Sequence, residues 1–346
     1  MERRSRTHCQ ARIRVVGVGG GGISAVNRLV DSGIFGVDFI TVDSDIDTQR
    51  DSRAPVHICI GDEYAGKCGL SGSVEGGRRA AEGVAEVLFD ALSGSDLVFI
   101  IAGLGGGTGS GAAPTVAEVA KRLDAVVVGI VTYPFNFEGE KRIAAAETGV
   151  TRLKGCTDTL IVVPNDRVLQ MAGGSIGFHE TYRHAHDIWH QSVQGISDLV
   201  NRSGLINVDF ADVRAIMSEG GGAVIATGQG YGHERARDAA LRATRSNLLG
   251  ITIDGARGLL FNVVGGSDLS LLEVEEAAAT ITRRAHPEAN VIIGASINEA
   301  LGDEVRITVV ATGFGVSGLK PDLSDRKSQL PKRLSISALS TSLVSH

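Results

Sequence analysis

Apolar residues come in short unbroken runs along the first half of the chain. "RIRVVGV" (Arg12 to Val18), "VDFITV" (Val37 to Val42), "DLVFIIA" (Asp96 to Ala102), "AVVVGIVTY" (Ala125 to Tyr133) and "DTLIVVP" (Asp158 to Pro164) each read as a strand buried on both faces. Between them the apolar positions recur at helical spacing: "ISAVNRLVDSG" ending at Gly33, "GRRAAEGVAEVLFDAL", "TVAEVAKRL" and "FEGEKRIAAAETGVTRL". "GGGG" (Gly19 to Gly22) reads as the loop between the first strand and its helix. The polar stretch from Asp43 to Gly77 is too long for a simple turn and reads as a functional loop.

Strands apolar throughout that alternate with helices predict a parallel sheet covered on both faces, with ligands beyond the carboxyl ends of the strands. From His179 to Asn201 the spacing of Tyr182, Ile188, Trp189, Val193, Ile196 and Val200 predicts a long, largely buried helix. Beyond it, "GGAVIATG", "ARGLLFNVVGG", "ANVIIGAS" and "VRITVVATGF" read as strands with only two helices among them, which is an α+β pattern. The expected organisation is a basic N-terminal arm (1–11), an α/β domain (12–178), a central helix with the loop after it (179–218), a second α+β domain (219–314) and a Ser/Lys/Arg-rich flexible tail (315–346).

Composition narrows the classes of function. At 346 residues the chain can hold two domains, each with its own core. A net charge of −6 provides no basic footprint for nucleic acid, and aromatics at 4% provide no stacking platform for single strands. No apolar run approaches a membrane span. Cys9, Cys59, Cys68 and Cys156 show no CxxC pairing, so free thiols in a reducing cytoplasm are expected.

Three stretches offer phosphate-binding chemistry. Gly17 to Gly22 satisfies GxGxxG after a strand and before a helix, with Asp43 and Asp45 downstream where a ribose-binding acid would sit; alone, this would suggest NAD. Gly61 to Cys68 nearly matches a P-loop, but Cys68 replaces the magnesium-ligating hydroxyl and no clear strand precedes it, so it reads as coincidence. The third is "AGLGGGTGSGAAP" (Ala102 to Pro114), in which backbone amides unshielded by side chains can face an anion. Two such loops favour a nucleoside triphosphate wrapped from several sides over a dinucleotide.

"GGGTGSG" matches the tubulin signature GGGTG[ST]G. With "RVVGVGGGG", "PFNFEGEKR", "LIVVPNDRVL", "VQGISDLVNRSGLINVDFADV" and "ITVVATGF", in order from Arg12 to Phe314, the chain resembles the tubulin/FtsZ family of cytoskeletal GTPases. The resemblance implies a Rossmann-like GTPase domain, a GTP/GDP ligand with Mg²⁺ on its phosphates and a monovalent cation as a further candidate. It also implies head-to-tail self-assembly into filaments, with other family subunits or division proteins as further partners. Cell division is the implied role, in the cytoplasm and at the division site, with only indirect membrane contact.

Carried over residue by residue, the resemblance assigns the phosphates to Gly20, Gly21, Gly22, Ile23 and Ser24 and to Gly105, Gly106, Gly107, Thr108 and Gly109, with Asp45 and Gly72 in the neighbouring loops. Glu138 takes the ribose, Arg142 the phosphate side, Asn165 and Asp187 the guanine, and Tyr182 stacks on the base. A carboxylate at 187 can accept from both the ring N–H and the exocyclic amine of guanine, a pair adenine lacks. Asn207, Asp209 and Asp212 are assigned to the pocket of the next subunit, where they position the attacking water. Each has a plainer alternative: Glu138 and Arg142 as a helix-surface pair, Asn165 as a helix cap, Asp187 as a solvated charge, Tyr182 as core, and "NVDFADV" as a capped helix start.

The chain departs from the family pattern at Ile23 and Ser24, where paired asparagines are usual, and at "GLSGSVE" (Gly69 to Glu75) in place of GAGGNPE. "DSDID" in place of "NTDAQ" sets Asp43 and Asp47 beside a polyanion. The tail holds no copy of the family's terminal peptide. A specialised homologue with weak hydrolysis and a role outside the main division ring is therefore the alternative to a division GTPase.

Overall fold

Alternate residues of each apolar run face opposite sides of one six-stranded sheet, and each side is buried. β1 (Ile13–Val18), β2 (Val37–Asp43), β3 (Val56–Cys59), β4 (Leu97–Gly103), β5 (Val126–Tyr133) and β6 (Thr159–Pro164) pair in parallel in the order β3-β2-β1-β4-β5-β6. Leu97, Phe99 and Ile101 of β4 enter one core with Val126, Val128 and Ile130 of β5. Val98, Ile100 and Ala102 enter the other with Val127 and Val131. The computed structural model describes residues 11–61, 73–171, 178–201, 204–218, 223–245 and 253–313, with side chains 170–185 also excluded. The basic arm up to Gln10, the near P-loop beyond Gly61, Gly72 and the tail from Phe314 onward lie outside the described residues.

The stretch expected as one long loop after β2 is partly ordered into elements. It holds α2 (Ile46–Arg50), β3 and the start of α3 (Val74–Gly83). β3 carries no apolar run because it is a four-residue edge strand in which only Ile58 is buried. Gln49 anchors it by donating from Nε2 to the Ile58 carbonyl at 2.7 Å. The single helix expected over Gly77 to Leu92 is two, α3 and α4 (Ala85–Leu92), broken at Val84 (φ −115°, ψ 22°). "GGGG" is the first turn of α1 (Gly19–Asp31), and α5 (Gly107–Arg122) begins inside the glycine signature.

α6 (Glu140–Cys156) and α7 (Asn165–Met171) complete the first half, and α8 (Phe178–Asn201) leads out of it. Ile188, Trp189, Val193, Ile196 and Leu199 of α8 join the core under the first sheet to Ile225, Leu260 and Val310 of the second. That sheet is mixed, in the order β7-β10-β8-β9, from β7 (Val224–Gly230), β8 (Gly258–Gly265), β9 (Asn290–Ile297) and β10 (Val305–Thr312). Only β8 and β9 run parallel. α9 (Phe210–Ser218), α10 (Arg235–Arg245) and α11 (Leu271–Thr282) are the remaining α-helices among the described residues, and none of the described helices is long and apolar enough to cross a membrane.

Several glycines are required by packing. A Cβ on Gly77 of α3 would run into the carbonyl oxygen of Gly107, and one on Gly111 of α5 into that of Val74, so these helices approach backbone to backbone. Gly83, in the same helix as Gly77, has nothing within 4 Å of its would-be Cβ. Gly77→Ala is therefore expected to cost roughly 1–3 kcal/mol through overpacking. Gly83→Ala is expected to stabilise by about 0.4–1 kcal/mol by restricting the unfolded chain. Urea unfolding of both variants checks this; equal effects would show that the α3–α5 approach does not limit the fold.

Candidate functional site

The carboxyl edge of the parallel sheet gathers the glycine stretches. β1 and β4 are neighbours, and each passes directly into a helix, α1 and α5. Neither helix has a side-chain cap or an acid in its first turn. Asp45 caps α2, Ser73 caps α3 and Ser270 caps α11, while α4 and α6 lack a side-chain cap but carry an acid, Glu86 and Glu140, in the first turn. The two uncapped ends touch: a Cβ on Gly19 would stand 3.3 Å from the amide nitrogen of Gly109. Free N–H groups and the positive ends of two helix dipoles therefore converge where an anion can be held.

The glycines divide into two kinds. Gly22 must be glycine because a Cβ there would meet the Ile101 carbonyl oxygen at 2.5 Å, and Gly17 because its Cβ would meet that of Gly22 at 2.5 Å. Among the described residues, a Cβ on Gly106 would meet nothing, and one on Gly20 only Thr48 Cγ2 at 3.6 Å. Gly20 and Gly21 are exposed, and Gly106 and Thr108 are half-buried. The space beside Gly20 and Gly106 is thus a cradle that this chain's own packing leaves open, and it fits a phosphate chain approaching the backbone.

Around this cradle the sequence-predicted residues fall as follows. Gly105, Gly107 and Gly109 are buried against their own chain, and Gly105 takes a φ of +107° beside Arg142 Cβ. Ile23 points into the core at 2% exposure, so only its backbone is available to a ligand. Ser24 is exposed, with Oγ 3.4 Å from His186 Nε2. Asp45 caps α2, accepting from the Asp47 amide at 3.0 Å and the Thr48 hydroxyl at 2.8 Å. Those bonds, Thr48's first, hold its carboxyl below the usual carboxylate range.

On the other flank, Glu138 accepts from the Phe135 amide at 2.9 Å and from Arg142 at 2.8 Å, so the helix-surface pairing is made in this structure. Asn165, buried at the start of α7, lies at the same edge beyond β6. Asp187 is exposed on α8 and lines a cleft of about 540 Å³ with Gln191, Thr227, Asn262 and Arg306. The Tyr182 side chain and Gly72 lie outside what the structure describes.

Two contacts were not legible in the sequence. Ser44 Oγ lies 2.9 Å from Thr108 Oγ1, tying the loop after β2 to the signature helix. Its only signal is its place one residue beyond a strand that ends at this edge. His186 is buried beneath Ser24 and packs edge-on to Trp189, with ring centroids 4.9 Å apart. Burial, and then the Arg28 charge, pull its imidazole down to about 4, so it is neutral near pH 7.

Asn207, Asp209 and Asp212 are exposed at the opposite edge of the first sheet. Asn207 accepts from the Gly204 amide at 2.7 Å, and Asp209 Oδ1 from the Ala211 amide at 3.1 Å at the start of α9. α9 is fixed there by Arg214, which donates to the carbonyl and carboxylate of Asp124, just before β5 begins. The cradle lies beyond the far ends of the strands. An eight-residue strand spans about 25 Å, so these acids do not reach their own chain's cradle.

Comparison with known proteins matches residues 12–173 to the tubulin/FtsZ family GTPase domain and residues 221–315 to the FtsZ family C-terminal domain. Among solved structures, an empty FtsZ dimer from M. jannaschii is 40% identical over 89% of this chain and 89% of that chain, with a TM-score of 0.83. A mutant FtsZ of the same organism is also 40% identical, covering 88% of this chain and 91% of that one, with a TM-score of 0.82. A GTPγS-bound protofilament of CetZ2 from Haloferax volcanii is 21% identical, covering 88% of this chain and 94% of that one, with a TM-score of 0.74, a likeness of fold alone.

The open cradle has a direct test. Gly106 has φ −97° and ψ 167°, which any residue adopts, so Gly106→Val should leave the melting temperature unchanged to within a few degrees. It should weaken binding of a phosphorylated ligand by about ten-fold or more by filling the space. Melting curves and a binding titration on the same preparations read both quantities; a variant that melts early but binds normally contradicts the division of the glycines.

Proposed function

We propose that this chain, which belongs to the tubulin/FtsZ family, binds GTP at the carboxyl edge of its first sheet, assembles head to tail and hydrolyses GTP at the contact between subunits. The family consists of polymerising cytoskeletal GTPases. One observation supports the finer reading: Arg214 of α9 holds Asp124 just before β5, so the exposed Asp209 and Asp212 at the start of that helix lie a strand's length, about 25 Å, from the cradle. Stacking two copies in one direction would bring one subunit's acids to the other's phosphates. Such a contact is heterologous and does not close, so it extends into a filament.

In this reading the amides at Gly20, Gly21, Gly22, Gly106 and Thr108 hold the phosphates, and Arg142 adds positive charge beside Gly105. Ser24 stands over the sugar side of the pocket, Glu138 takes the ribose, and Asn165 and Asp187 read the guanine edge. Asp209 and Asp212 of the adjoining subunit orient the attacking water, and a carboxylate of the pair accepts its proton as the bond to phosphorus forms. Mg²⁺, held by the phosphates themselves, would supply charge neutralisation there. A lone subunit holds GTP without these acids and turns it over slowly; assembly completes the site. The likeness to FtsZ supports a place in cell division, with self-association first among its partners. A second reading, a homologue that binds and assembles but hydrolyses weakly, is favoured by the carboxylate of Asp43 buried beside the cradle.

The rate of GTP hydrolysis per subunit is expected to rise steeply with protein concentration. Asp212→Ala is expected to lower it about 100-fold while leaving GTP affinity and sedimentation of assembled material within two-fold. Phosphate release measured across a concentration series decides the matter: a rate per subunit that is flat, or unchanged by Asp212→Ala, would end the interface reading.

A further inference from the structure

Asp43 is a charged residue enclosed at the edge of the cradle. Its register places it there: Val42 pairs with Val18, so Asp43 stands across from the point where β1 turns into the glycine start of α1. It is only 4% exposed. Oδ1 accepts from the Ser44 amide at 2.7 Å and from the Asp45 amide at 3.4 Å. Ser44 in turn bonds Thr108 of the signature helix. The loop thus holds a carboxylate against the same wall that the uncapped ends of α1 and α5 form.

Among the described residues, the groups facing it do not neutralise it. From its own loop come Ser44 and Asp45, from α5 the Thr108 hydroxyl, and from β3 the Cys59 thiol, which burial and then Asp43 push up. On α2, Asp47 is paired with Arg50 at 3.0 Å, so that acid is balanced while Asp43 is not. Among the described residues Asp43 forms no ion pair with a Lys, Arg or His, and burial raises its carboxyl above the usual range despite the amide bonds. A buried anion beside a site shaped for a polyanion is a like-charge conflict.

We propose that Asp43 sets the strength of nucleotide binding in this chain, its carboxylate opposing the phosphates until it takes a proton from solvent as the nucleotide seats. This rests on the nucleotide reading of the cradle given above. The bound state then contains the neutral acid, whose hydroxyl can donate to a phosphate oxygen or to Ser44. The sign follows: phosphates raise the acid's pKa further, so binding takes up protons. Affinity falls as pH rises through the free protein's pKa and levels off above that of the complex.

The test measures GDP affinity by titration calorimetry from pH 5 to 8 at fixed excess Mg²⁺, for the unaltered protein and for Asp43→Asn. Asp43→Asn is expected to bind about ten-fold tighter at pH 8 and to show a flatter pH profile. In two buffers of different ionisation enthalpy, the unaltered protein should take up protons on binding and the variant should not; that measurement stands even if the variant folds poorly. Equal affinities with no difference in proton uptake would overturn the role of Asp43. Failure of the unaltered protein to bind GDP at any pH would overturn the nucleotide reading itself, and the proposal with it.

Discussion

Backbone pressed against backbone at the carboxyl edge of the first sheet is the contact on which the rest depends. Gly22 lies against the Ile101 carbonyl, Gly109 against that of Gly103, and Gly77 against that of Gly107. A methyl group at any of these points would force a helix outward, and close-packed interiors absorb such shifts only at the expense of neighbouring contacts. These contacts bring the starts of α1 and α5 together and lodge α3 against α5. The glycines left over, Gly20 and Gly106, line the space that the crowding encloses.

The second constraint is electrostatic. Helices that begin at a surface are ordinarily capped by their own side chains, as α2, α3 and α11 are. α1 and α5 begin without caps, side by side, so their amides remain available to a ligand. Asp43 complicates that field. It lies within the same crowded edge, too enclosed for water to screen it, while its neighbour Asp47 is balanced by Arg50 in the open. One loop therefore contains a solvated ion pair and an enclosed carboxylate without an ion-pair partner among the described residues.

α8 ties these features to the far pole. Its buried face belongs to the cores of both sheets, and Asp187, near its middle, lines a cleft against Thr227, Asn262 and Arg306 of the second sheet. Gly195 lets β10 pack closely, since a Cβ there would strike Thr308. In the proposed assembly, the core shared along α8 would keep the cradle and the acids at a constant separation. A repeating head-to-tail assembly needs that rigidity if each contact is to complete a site.

The two sheets and the long helix were legible in the sequence, because unbroken apolar runs and their spacing follow directly from burial on both faces. β3 was not, since a four-residue edge strand with one buried side chain leaves no periodic trace, and the apolar spacing that runs on through Gly83 hid the break at Val84 between α3 and α4. The glycine count announced an anion site without saying which glycines serve it; that depends on which carbonyl each faces across the fold. Likewise the sequence supplied the acids of "DSDID" and "NVDFADV", but only the tertiary structure decided that Asp43 is buried, that Asp47 is paired, and that Asp209 and Asp212 sit a sheet's length from their own cradle. Charge is a property of a residue; desolvation and distance are properties of its surroundings, and those exist only once the chain has folded.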